Sequence, residues 1–503
     1  MKNILVISFS LLSFCMKSQT YFNKQYIHGS PNWLSSLGDV VQNKDSSYLG
    51  LAWTIDGANN DIQNLRLLKI DKYGKTEWTK DYSFENMEPG RILPTSDGNF
   101  VINGLKRTRT NGLFTLNTFL FKIDSKGDSL WIQHYEHNAE WTIAGSLVST
   151  ADKGFICAGS LIEWIKVGNE YKEQPSQAYF IKTDSLGNLL WKRSYGDSKY
   201  SLTVMSTVEL PNKDILAVGR YQSFRTKDFN DLGMMAMRLG ANGDAQWWKT
   251  YGREDANESF VKITKTSNNQ YLVSGTFGVD NTNEYNGGVL GKLDENGEVI
   301  WMKGYNDKIK GFAFSGGHTQ LANGDITVAG ISYLTDDVGI AQFDSTGNLK
   351  WFRRNDLNPN SYESIYGIIP TSDKGFAIFG DGLSTISGND QAWLLKLDQY
   401  GCDSEACAKS VATADSPENK VMQLIVYPNP SNGDARVRWS LDEVLSHAVL
   451  SISDARGVPI HALPISTASG EFELEGLNLA NGMYVATISS RGKIECKKII
   501  VLK

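Results

Sequence analysis

One short motif recurs along most of this 503-residue chain. It consists of an Asp, a Gly three residues later and a Trp four residues after that. The complete copies are DKYGKTEW at Asp71, DSKGDSLW at Asp124, DSLGNLLW at Asp184, DENGEVIW at Asp294 and DSTGNLKW at Asp344, while GANGDAQW at Gly240 lacks the Asp and DQYGCDSE at Asp398 lacks the Trp. The copies recur on average every ~54 residues, a period that indicates propeller blades or a solenoid.

A second motif keeps step with the first. Short turns rich in Asp, Asn, Gly and Ser lie between β-rich runs that end at Gly104, Gly159, Gly219, Gly275, Gly330 and Gly380, with a weaker first copy ending at Ala52. Such turns are typical of tight β-hairpins. Each period therefore holds two hairpins, or four strands, as the runs within residues 258–305 show clearly. Four strands in each of seven copies predict an all-β fold, a seven-bladed β-propeller over residues 19–400.

The two ends of the repeat complement each other. The last copy ends in CDSEAC, where a strand containing a Trp is expected. Near the N-terminus, Phe22, Lys24 and Tyr26 repeat the spacing of WTKDY at residues 78–82. We therefore expect the N-terminal strand to complete the last blade and close the ring, which leaves no sheet edge open.

The repeated motif has a structural interpretation. The Asp accepts hydrogen bonds from N–H groups of the turn, the Gly takes a positive φ, and the Trp packs beside the next blade. A similar motif occurs in pyrroloquinoline-quinone propellers, where it is also structural, but there one more residue separates the Asp from the Gly. The resemblance stops at the turn, and we expect no cofactor.

The links between strands differ on the two faces of the predicted propeller. Links from first to second strand are uniformly tight, whereas several links from second to third strand are long and varied, which is usual where loops on a rigid scaffold recognise a ligand. Aromatic and Arg side chains are the typical hot spots of such surfaces. The candidate ligand-binding residues on these loops are Arg107, Arg109, Trp164, Tyr171, Tyr221, Phe224, Arg225 and Phe229. Ordinary loop packing is the alternative interpretation for each of them.

Charge and motif content exclude several functions. The formal net charge of −6 gives no attraction for nucleic acid or anionic lipid. The chain contains no G-x-S-x-G, H-E-x-x-H or C-x-x-C pattern. His134 and His137 lack a third zinc ligand, and the loop with Asp280, Thr282 and Glu284 lacks the acidic density of a calcium site. We expect no metal site and no catalytic residue that the sequence can name.

The N-terminus is typical of a secretory signal peptide. Residues 1–18 hold a Lys, a short apolar run and then small polar residues, and the run is too short to span a membrane. Cleavage fits best near Ser18 or Gln19. Acylation of Cys15 is the alternative, but the bulky Phe14 lies where a small residue is expected. No second apolar run of spanning length follows, so we expect no transmembrane segment.

Composition changes after the last repeat. Residues 401–422 contain Cys402 and Cys407, then a small, polar stretch typical of a linker. We expect these two cysteines to form a disulfide that ties off the last blade and contributes roughly 2 kcal/mol. Residues 423–503 contain short alternating strands, which favour a separate β-sandwich.

Four motifs in this last segment occur in order. VYPNPSNG, DARG, LANGMYVATI and the terminal KKIIVLK resemble the type A C-terminal sorting domain of type IX secretion. The residues that carry the resemblance are Tyr427, Pro428, Asn429, Pro430, Gly433, Gly457, Gly482, Tyr484, Lys497 and Lys498. The resemblance implies recognition by the outer-membrane translocon, removal of the domain in or near the linker, and release or attachment at the outer-membrane surface. Without it, the segment is only a small sandwich that an adhesion module also fits.

Two classes of function remain for the propeller. The first is a noncatalytic scaffold, secreted or anchored at the cell surface after passage through the periplasm, that binds an unidentified glycan or protein. The second is a carbohydrate-active enzyme with its site at the central opening. Two carboxylates about 5 to 9.5 Å apart in a central cleft would favour the enzyme. The type IX secretion machinery is the one partner that the sequence implies in either case.

Overall fold

A computed structural model describes most of the chain, and it divides into two compact units, residues 1–409 and 410–503. The boundary lies within the predicted linker. The described residues are 20–26, 33–56, 63–82, 87–110, 113–136, 141–162, 164–167, 170–173, 175–196, 199–223, 232–252, 257–278, 286–305, 309, 311–332, 338–355, 363–383, 389–404, 407, 422–441, 448–454, 458–467, 469–490 and 493–503. The predicted signal peptide, residues 1–18, therefore lies outside the described residues.

The first unit is built from β-strands. In chain order they are β1 (Phe22–Tyr26), β2 (Trp33–Gln42), β3 (Tyr48–Asp56), β4 (Gln63–Ile70), β5 (Thr76–Tyr82), β6 (Met87–Pro94), β7 (Phe100–Thr110), β8 (Leu113–Ile123), β9 (Ser129–Tyr135), β10 (Trp141–Ser149), β11 (Phe155–Ile162), β12 (Trp164–Val167), β13 (Glu170–Glu173), β14 (Gln177–Thr183), β15 (Leu189–Tyr195), β16 (Tyr200–Glu209), β17 (Ile215–Ser223), β18 (Leu232–Leu239), β19 (Ala245–Tyr251), β20 (Ser259–Lys265), β21 (Tyr271–Gly278), β22 (Asn286–Leu293), β23 (Val299–Gly304), β24 (Phe312–Ala313), β25 (His318–Gln320), β26 (Ile326–Ser332), β27 (Val338–Phe343), β28 (Leu349–Asn355), β29 (Glu363–Pro370), β30 (Phe376–Leu383) and β31 (Asp390–Leu397).

Within the described residues of this unit, these strands form seven antiparallel sheets, six of four strands and one of five. In strand order, sheet 1 is β2-β3-β4-β5, sheet 2 is β6-β7-β8-β9, sheet 3 is β10-β11-β14-β15, sheet 4 is β16-β17-β18-β19, sheet 5 is β20-β21-β22-β23, sheet 6 is β24-β26-β27-β28 and sheet 7 is β29-β30-β31-β1. The first strand of sheet 6 is split, since β25 also pairs with β26, and β12 and β13 form a separate hairpin. This is the all-β, propeller-like arrangement that the repeat predicts.

The N-terminal strand closes the series of sheets, as predicted. β1 pairs with β31, with Phe22 opposite Lys396 and Tyr26 opposite Ala392. β2 of sheet 1 in turn packs against β29, β30 and β31 of sheet 7. The chain ends of the unit are therefore joined by backbone pairing and by side-chain packing.

The hydrophobic core is divided into layers between neighbouring sheets. In the described part of the chain, one buried cluster lies between each sheet and the next, and another lies between sheet 7 and sheet 1. The cluster that joins sheets 7 and 1 includes Phe22, Leu37, Tyr48, Phe379 and Leu394. Each sheet is thus buried on both faces, which accounts for the uninterrupted apolar runs of the middle strands.

The motif residues have the structural roles predicted for them. In the turn between β8 and β9, Asp124 Oδ1 accepts hydrogen bonds from the N–H groups of Lys126 and Asp128, each at 2.8 Å. Gly127 in the same turn has a φ of +79°, a conformation that is unstrained only for glycine. The other turn glycines with positive φ are Gly74, Gly187, Gly243, Gly297, Gly347 and Gly401.

Each turn glycine also receives an aromatic ring from the preceding sheet. A Cβ at Gly187 would lie 2.8 Å from the ring of Trp131, and the hydroxyl of Tyr135 donates a hydrogen bond to the Gly187 carbonyl at 2.6 Å. The equivalent ring-to-glycine pairs are Trp78–Gly127, Trp191–Gly243, Trp247–Gly297, Trp301–Gly347 and Trp351–Gly401. The glycine is therefore required both for its φ and for the close approach of the ring.

Phe22 makes this contact where sheet 7 meets sheet 1. A Cβ at Gly74 would lie 2.7 Å from the Phe22 ring, and the Tyr26 hydroxyl donates to the Gly74 carbonyl at 3.1 Å. The Phe22 ring also meets Tyr48 edge to face, with 6.0 Å between the centroids. Phe22 thus replaces the Trp that the last repeat lacks.

The predicted disulfide between Cys402 and Cys407 is present, with a Cα–Cα distance of 5.5 Å. It follows the last turn directly, where the Cys402 N–H donates to Asp398 Oδ1 at 2.9 Å. The disulfide therefore lies where an outer strand follows the turn in the other sheets.

The second unit contains two further sheets. Its elements are β32 (Met422–Tyr427), β33 (Arg436–Leu441), β34 (Ala448–Asp454), β35 (Pro459–Ile465), β36 (Ser469–Glu473), a 3₁₀ helix (Glu475–Leu477), β37 (Gly482–Ser490) and β38 (Lys493–Val501). One sheet is β32-β33-β36 and the other is β35-β34-β37-β38. Residues of both sheets, among them Val437, Trp439, Leu450 and Ile488, form a single core. The segment is therefore a small sandwich, as predicted.

We predict that Phe22→Ala lowers the free energy of unfolding of the full chain by about 3 kcal/mol, because it removes a buried aromatic ring from the cluster that joins the chain ends. Lys24→Ala, on the same strand but exposed, is the matched control and changes stability by less than ~0.5 kcal/mol. Urea unfolding followed by tryptophan fluorescence measures both. Equal effects of the two substitutions would contradict the role of Phe22 in closure.

Candidate functional site

The first strands of the sheets share an irregularity. β2, β6, β10, β16, β20 and β29 each contain a register shift shortly before their hairpin turn. In sheet 6 the break between β24 and β25 lies at the same place. Because a bulge bends its strand and re-aims side chains, these irregularities shape the surface that the first strands present. That surface encloses one cavity of about 380 Å³, which we call the central cavity and to which all seven sheets contribute.

One position recurs in every first strand, four residues before the hairpin turn begins. Its occupants in sheets 1 to 7 are Asp39, Arg91, Ser146, Ser206, Lys262, Gly317 and Gly367. All seven line the central cavity. Four of these residues are small and three are charged. The fold therefore accepts a small residue at this position, and sheets 1, 2 and 5 have a charged residue instead.

Asp39 connects sheets 1 and 2 at the cavity. Its Oδ1 accepts a hydrogen bond from the Val40 N–H at 2.9 Å, and its Oδ2 accepts one from the Ile92 N–H at 3.0 Å. Burial raises the pKa of the Asp39 carboxyl, and this effect is opposed by Arg91, by the two N–H groups and by Lys262. The carboxylate is therefore fixed in position and lies within electrostatic reach of two cations.

Arg91 is anchored through its backbone. Its N–H donates to Asn103 Oδ1 at 2.7 Å, and Asn103 Nδ2 donates in turn to the Ser146 carbonyl at 3.2 Å. Its Nη1 donates to the Gly38 carbonyl at 3.4 Å. These contacts connect sheets 1, 2 and 3 around the guanidinium.

Lys262 faces these two residues from sheet 5. Desolvation lowers its pKa to about 8, and the neighbouring charge of Arg91 acts in the same direction while Asp39 opposes it. Among the described residues, none forms an ion pair or a hydrogen bond with its ammonium group. The Lys262 side chain is half-buried and lines the central cavity.

His318 lies buried beside Lys262. Its Nδ1 is 2.7 Å from Ser274 Oγ and its Nε2 is 2.7 Å from Thr264 Oγ1, so both ring nitrogens have hydroxyl partners. Burial lowers the pKa of the imidazole well below its usual value, and the charge of Lys262 adds to the effect. His318 therefore remains neutral and connects sheets 5 and 6 as a structural residue.

A second opening adjoins the central cavity on the face where second strands lead into third strands. This mouth groove has a volume of about 410 Å³ and shares Arg91 and Tyr366 with the central cavity. Its other lining residues include Trp53, Ile55 and Glu88. Aromatic and aliphatic surface is thus placed directly outside a charged interior.

Tyr366 forms part of the boundary between groove and cavity. Its side chain is 38% exposed, and burial of its hydroxyl region together with the charge of Asp381 raises its pKa. Burial also raises the pKa of the Asp381 carboxyl, opposed by hydrogen bonds from Tyr366 and Ser36. These contacts hold the Tyr366 ring at the opening.

Two of the predicted loop residues have described side chains. Arg107 Nη2 is paired with Glu88 Oε1 at 3.0 Å, which places Arg107 beside the mouth groove. Tyr221 is only 7% exposed and packs edge to face against Tyr200 and Trp248, instead of standing exposed as expected. Aromatic packing within sheet 4 explains this difference, and a role for Tyr221 in binding stays a prediction.

The remaining loop candidates are placed only in part. Arg109 lies opposite Phe114 in the long β7–β8 hairpin, and Trp164 lies opposite Glu173 in the β12–β13 hairpin, which also contains Tyr171. The side chains of Arg109, Trp164 and Tyr171, and the whole of Phe224, Arg225 and Phe229, lie outside the described residues. Their binding role stays a prediction.

The sorting motifs meet in the second unit. Asn429 Nδ2 donates to the Lys498 carbonyl at 2.7 Å, and its Oδ1 accepts from the Ile500 N–H at 2.8 Å, so the turn containing Pro428 and Pro430 is fastened to β38. This strand also contains Lys497. Motifs from the two ends of the segment therefore form one structural feature.

The other sorting residues support the same sandwich. The Tyr427 hydroxyl bonds to Glu471, and the Arg438 guanidinium lies 5.0 Å from the Tyr427 ring centroid. The Tyr484 hydroxyl donates to the Ala480 carbonyl at 2.9 Å. The turn that contains Gly433 and the start of β37 at Gly482 both have positive φ, while Gly457 lies outside the described residues.

In the ranges that the structure describes, no three or more His, Cys, Asp or Glu side chains are grouped to hold a metal ion. His137 and the loop with Asp280, Thr282 and Glu284 lie outside those ranges. No helix in the described ranges is long and apolar enough to cross a membrane.

We predict that His318 makes the fold sensitive to acid. The folded chain keeps the imidazole neutral, whereas the unfolded chain binds a proton below pH ~6.5, so the unfolded state binds more protons there and stability falls as the pH is lowered. The loss is at most ~1.4 kcal/mol per pH unit and is absent above pH ~6.5. In His318→Gln this slope is smaller, although the variant is less stable throughout. Urea unfolding from pH 5 to 8 tests this, and identical slopes would contradict it.

Comparison with known proteins identifies one part of the chain. Residues 425–502 match the family model of the secretion system C-terminal sorting domain. No curated protein matches the sequence. The match agrees with the resemblance carried by the four motifs and covers the whole sandwich after its first strand begins.

Solved structures are similar to this chain only distantly. One is a protein of unknown function from Dyadobacter fermentans, with 12% identity, a TM-score of 0.39, and coverage of 65% of this chain and 96% of that chain. Another is PorZ, a surface component of the type-IX secretion system of Porphyromonas gingivalis, with 9% identity, a TM-score of 0.26, and coverage of 93% and 81%. A third is an acylaminoacyl peptidase from Pyrococcus horikoshii, with 12% identity, a TM-score of 0.43, and coverage of 82% and 59%. The sorting domain, not these likenesses, indicates that the chain is exported and is secreted or attached at the cell surface.

Proposed function

We propose that this chain is an exported, noncatalytic binding scaffold. Its first unit is a seven-bladed propeller that presents the central cavity and the mouth groove to a glycan or protein ligand. Its second unit is the signal that the type IX secretion machinery recognises. The chain is then released or attached at the outer-membrane surface.

The observation that carries the binding proposal is the departure from the repeat at the central cavity. Ser146, Ser206, Gly317 and Gly367 occupy the shared position in four sheets, so the fold needs no charge there. Charged groups enclosed by protein lose hydration and are costly unless they gain partners. Three charged side chains that converge on one cavity are therefore better explained by a ligand than by the scaffold.

The loops that border the groove supplement this site. Arg107 is already placed beside it through its ion pair with Glu88. We propose that Arg109, Trp164, Tyr171, Phe224, Arg225 and Phe229 extend the recognition surface on the same face. Loops on a rigid scaffold are the usual place for such contacts.

The charge distribution favours binding over glycoside hydrolysis. Hydrolysis of a glycosidic bond uses two carboxyl groups about 5 to 9.5 Å apart. Within the described lining of the central cavity, Asp39 is the one carboxylate, and it is held by N–H groups and faced by two cations. A carboxylate in that setting is suited to organising cations.

We predict that the second unit directs export. Deletion of residues 423–503 leaves the propeller in the periplasm of a bacterium that has the type IX machinery. Asn429→Ala, which removes both hydrogen bonds to β38, reduces surface appearance, whereas Asn432→Ala in the same turn is exposed and serves as the matched control. Cell fractionation and surface labelling measure the outcome. Unchanged surface appearance after the deletion would refute the export proposal.

We predict that filling the central cavity weakens ligand binding, and that neither the wild-type chain nor the variant releases a product. The full chain is tested against immobilised polysaccharides and matrix proteins, with soluble products assayed in parallel. Ser206→Trp places a large ring in the cavity and weakens binding by more than about tenfold, whereas Ser125→Trp in an exposed turn leaves it unchanged. Released product, or equal binding by both variants, would overturn the proposal.

A further inference from the structure

We infer that the central cavity recognises the carboxylate of an acidic sugar, with Lys262 and Arg91 as its cationic partners and the mouth groove as the place for the sugar ring. This inference rests on the proposed binding function and names the chemical class of the ligand. It is drawn from the charges, contacts and shape of the cavity.

The cavity carries positive charge in an acidic protein. At the shared position Asp39, Arg91 and Lys262 sum to one positive charge when all three are ionised, and Lys265 adds a further cation to the described lining of the cavity. If Asp39 takes up a proton, the sum rises, so the cavity is positive in either state. Since the whole chain has a formal charge of −6, long-range attraction does not explain an anionic ligand, and recognition must be local.

The ammonium group of Lys262, unpaired within the described residues, is the strongest indication that the cavity binds an anion. Asp39 is fixed by two N–H groups and Arg91 by the Gly38 carbonyl, but the ammonium group of Lys262 has no such partner among the described residues. A cation in this position is costly unless an anion approaches it. A ligand carboxylate would supply the missing hydrogen-bond acceptor, and charge-assisted hydrogen bonds of this kind are the strong ones.

Asp39 then has a positioning role. It lies within electrostatic reach of both cations and lowers their mutual repulsion. At the shared position one fixed carboxylate and two cations leave one positive charge unbalanced, and a single acidic group on the ligand would balance it.

The mouth groove indicates what carries that acidic group. Trp53, Ile55 and Tyr366 provide apolar and aromatic surface beside Arg91. A pyranose ring presents apolar C–H groups on its faces and hydroxyl groups at its edge, and it fits such a surface better than the flexible side chain of an acidic peptide. The central cavity, at about 380 Å³, lies within the range of small-molecule sites.

The experiment titrates the full chain with three probes: sodium glucuronate, glucose and sodium acetate. Calorimetry and the NMR signal of the Lys262 side chain report binding. We expect glucuronate to bind and to shift the Lys262 signal, glucose and acetate each to bind at least about tenfold more weakly, and Lys262→Met to weaken glucuronate binding by about 10- to 100-fold. Lys126→Met removes the same charge from an exposed turn and leaves binding unchanged.

The possible results are distinct. If Lys262→Met does not fold, Lys262→Arg keeps the charge and identifies the Lys262 NMR signal as the one that disappears. The titration of the wild-type chain with the three probes then tests the inference. If glucose binds as tightly as glucuronate, the cavity recognises a sugar without recognising its charge. If acetate binds as tightly as glucuronate, the cavity recognises a carboxylate alone, such as that of an acidic peptide. Either result overturns the inference but leaves the scaffold proposal standing. No shift of the Lys262 signal with any probe, together with unaltered panel binding in Ser206→Trp, would remove both.

Discussion

The contact between an aromatic ring and the turn glycine of the next sheet is the interaction on which the rest of this structure depends. At Gly187 a Cβ would collide with Trp131, and the same turn needs a positive φ, so two independent constraints select glycine. The aromatic ring fixes each sheet against its neighbour at the outer edge, at six of the seven joints a tyrosine four residues later bonds to the glycine carbonyl, and a buried cluster fixes the sheets further in. Phe22 extends this arrangement across the chain ends. Because these contacts join the sheets in series, the first strands of all seven sheets can contribute side chains to the central cavity.

This dependence explains why the fold was predictable from the sequence. The residues that form each turn lie only a few positions apart, as Asp124 and Gly127 do, so their pattern is visible in the sequence. Because the pattern occurs seven times, it can be recognised even where a single copy departs from it. The spacing of Phe22 and Tyr26 predicted the closing strand for the same reason, since it repeats a local pattern. The second unit was predicted through motifs that fasten to one another, with Asn429 bonded to β38.

The central site was not predicted, and the physical reason is distance along the chain. Asp39, Arg91 and Lys262 come from three sheets, and nothing in their neighbouring residues marks them. The sequence does contain a sign of the site. Asp39, Arg91 and Lys262 lie four residues before their hairpin turns, the position that Ser146, Ser206, Gly317 and Gly367 occupy in the other copies. Prediction concentrated on long loops instead, where Tyr221 proved to be buried against Tyr200 and Trp248. In a repeat fold, a charged residue at a position that other copies leave small is a departure from the scaffold that alignment of the copies can find.

The fixed packing of the sheets also limits the kind of function that the charged side chains of the central cavity can support. A single carboxylate with two backbone donors cannot move readily, and the neighbouring His318 is fixed by hydroxyl groups on both sides. Proton transfer requires groups that change protonation state while they face a reacting bond, whereas recognition requires fixed groups that keep their charge. The rigid joints between sheets favour the second requirement, since they hold the anchored groups in place before any ligand arrives and so reduce the entropy that binding must overcome. Lys262, the one cation of the trio without a protein partner among the described residues, is then the group whose environment changes most when the ligand is bound.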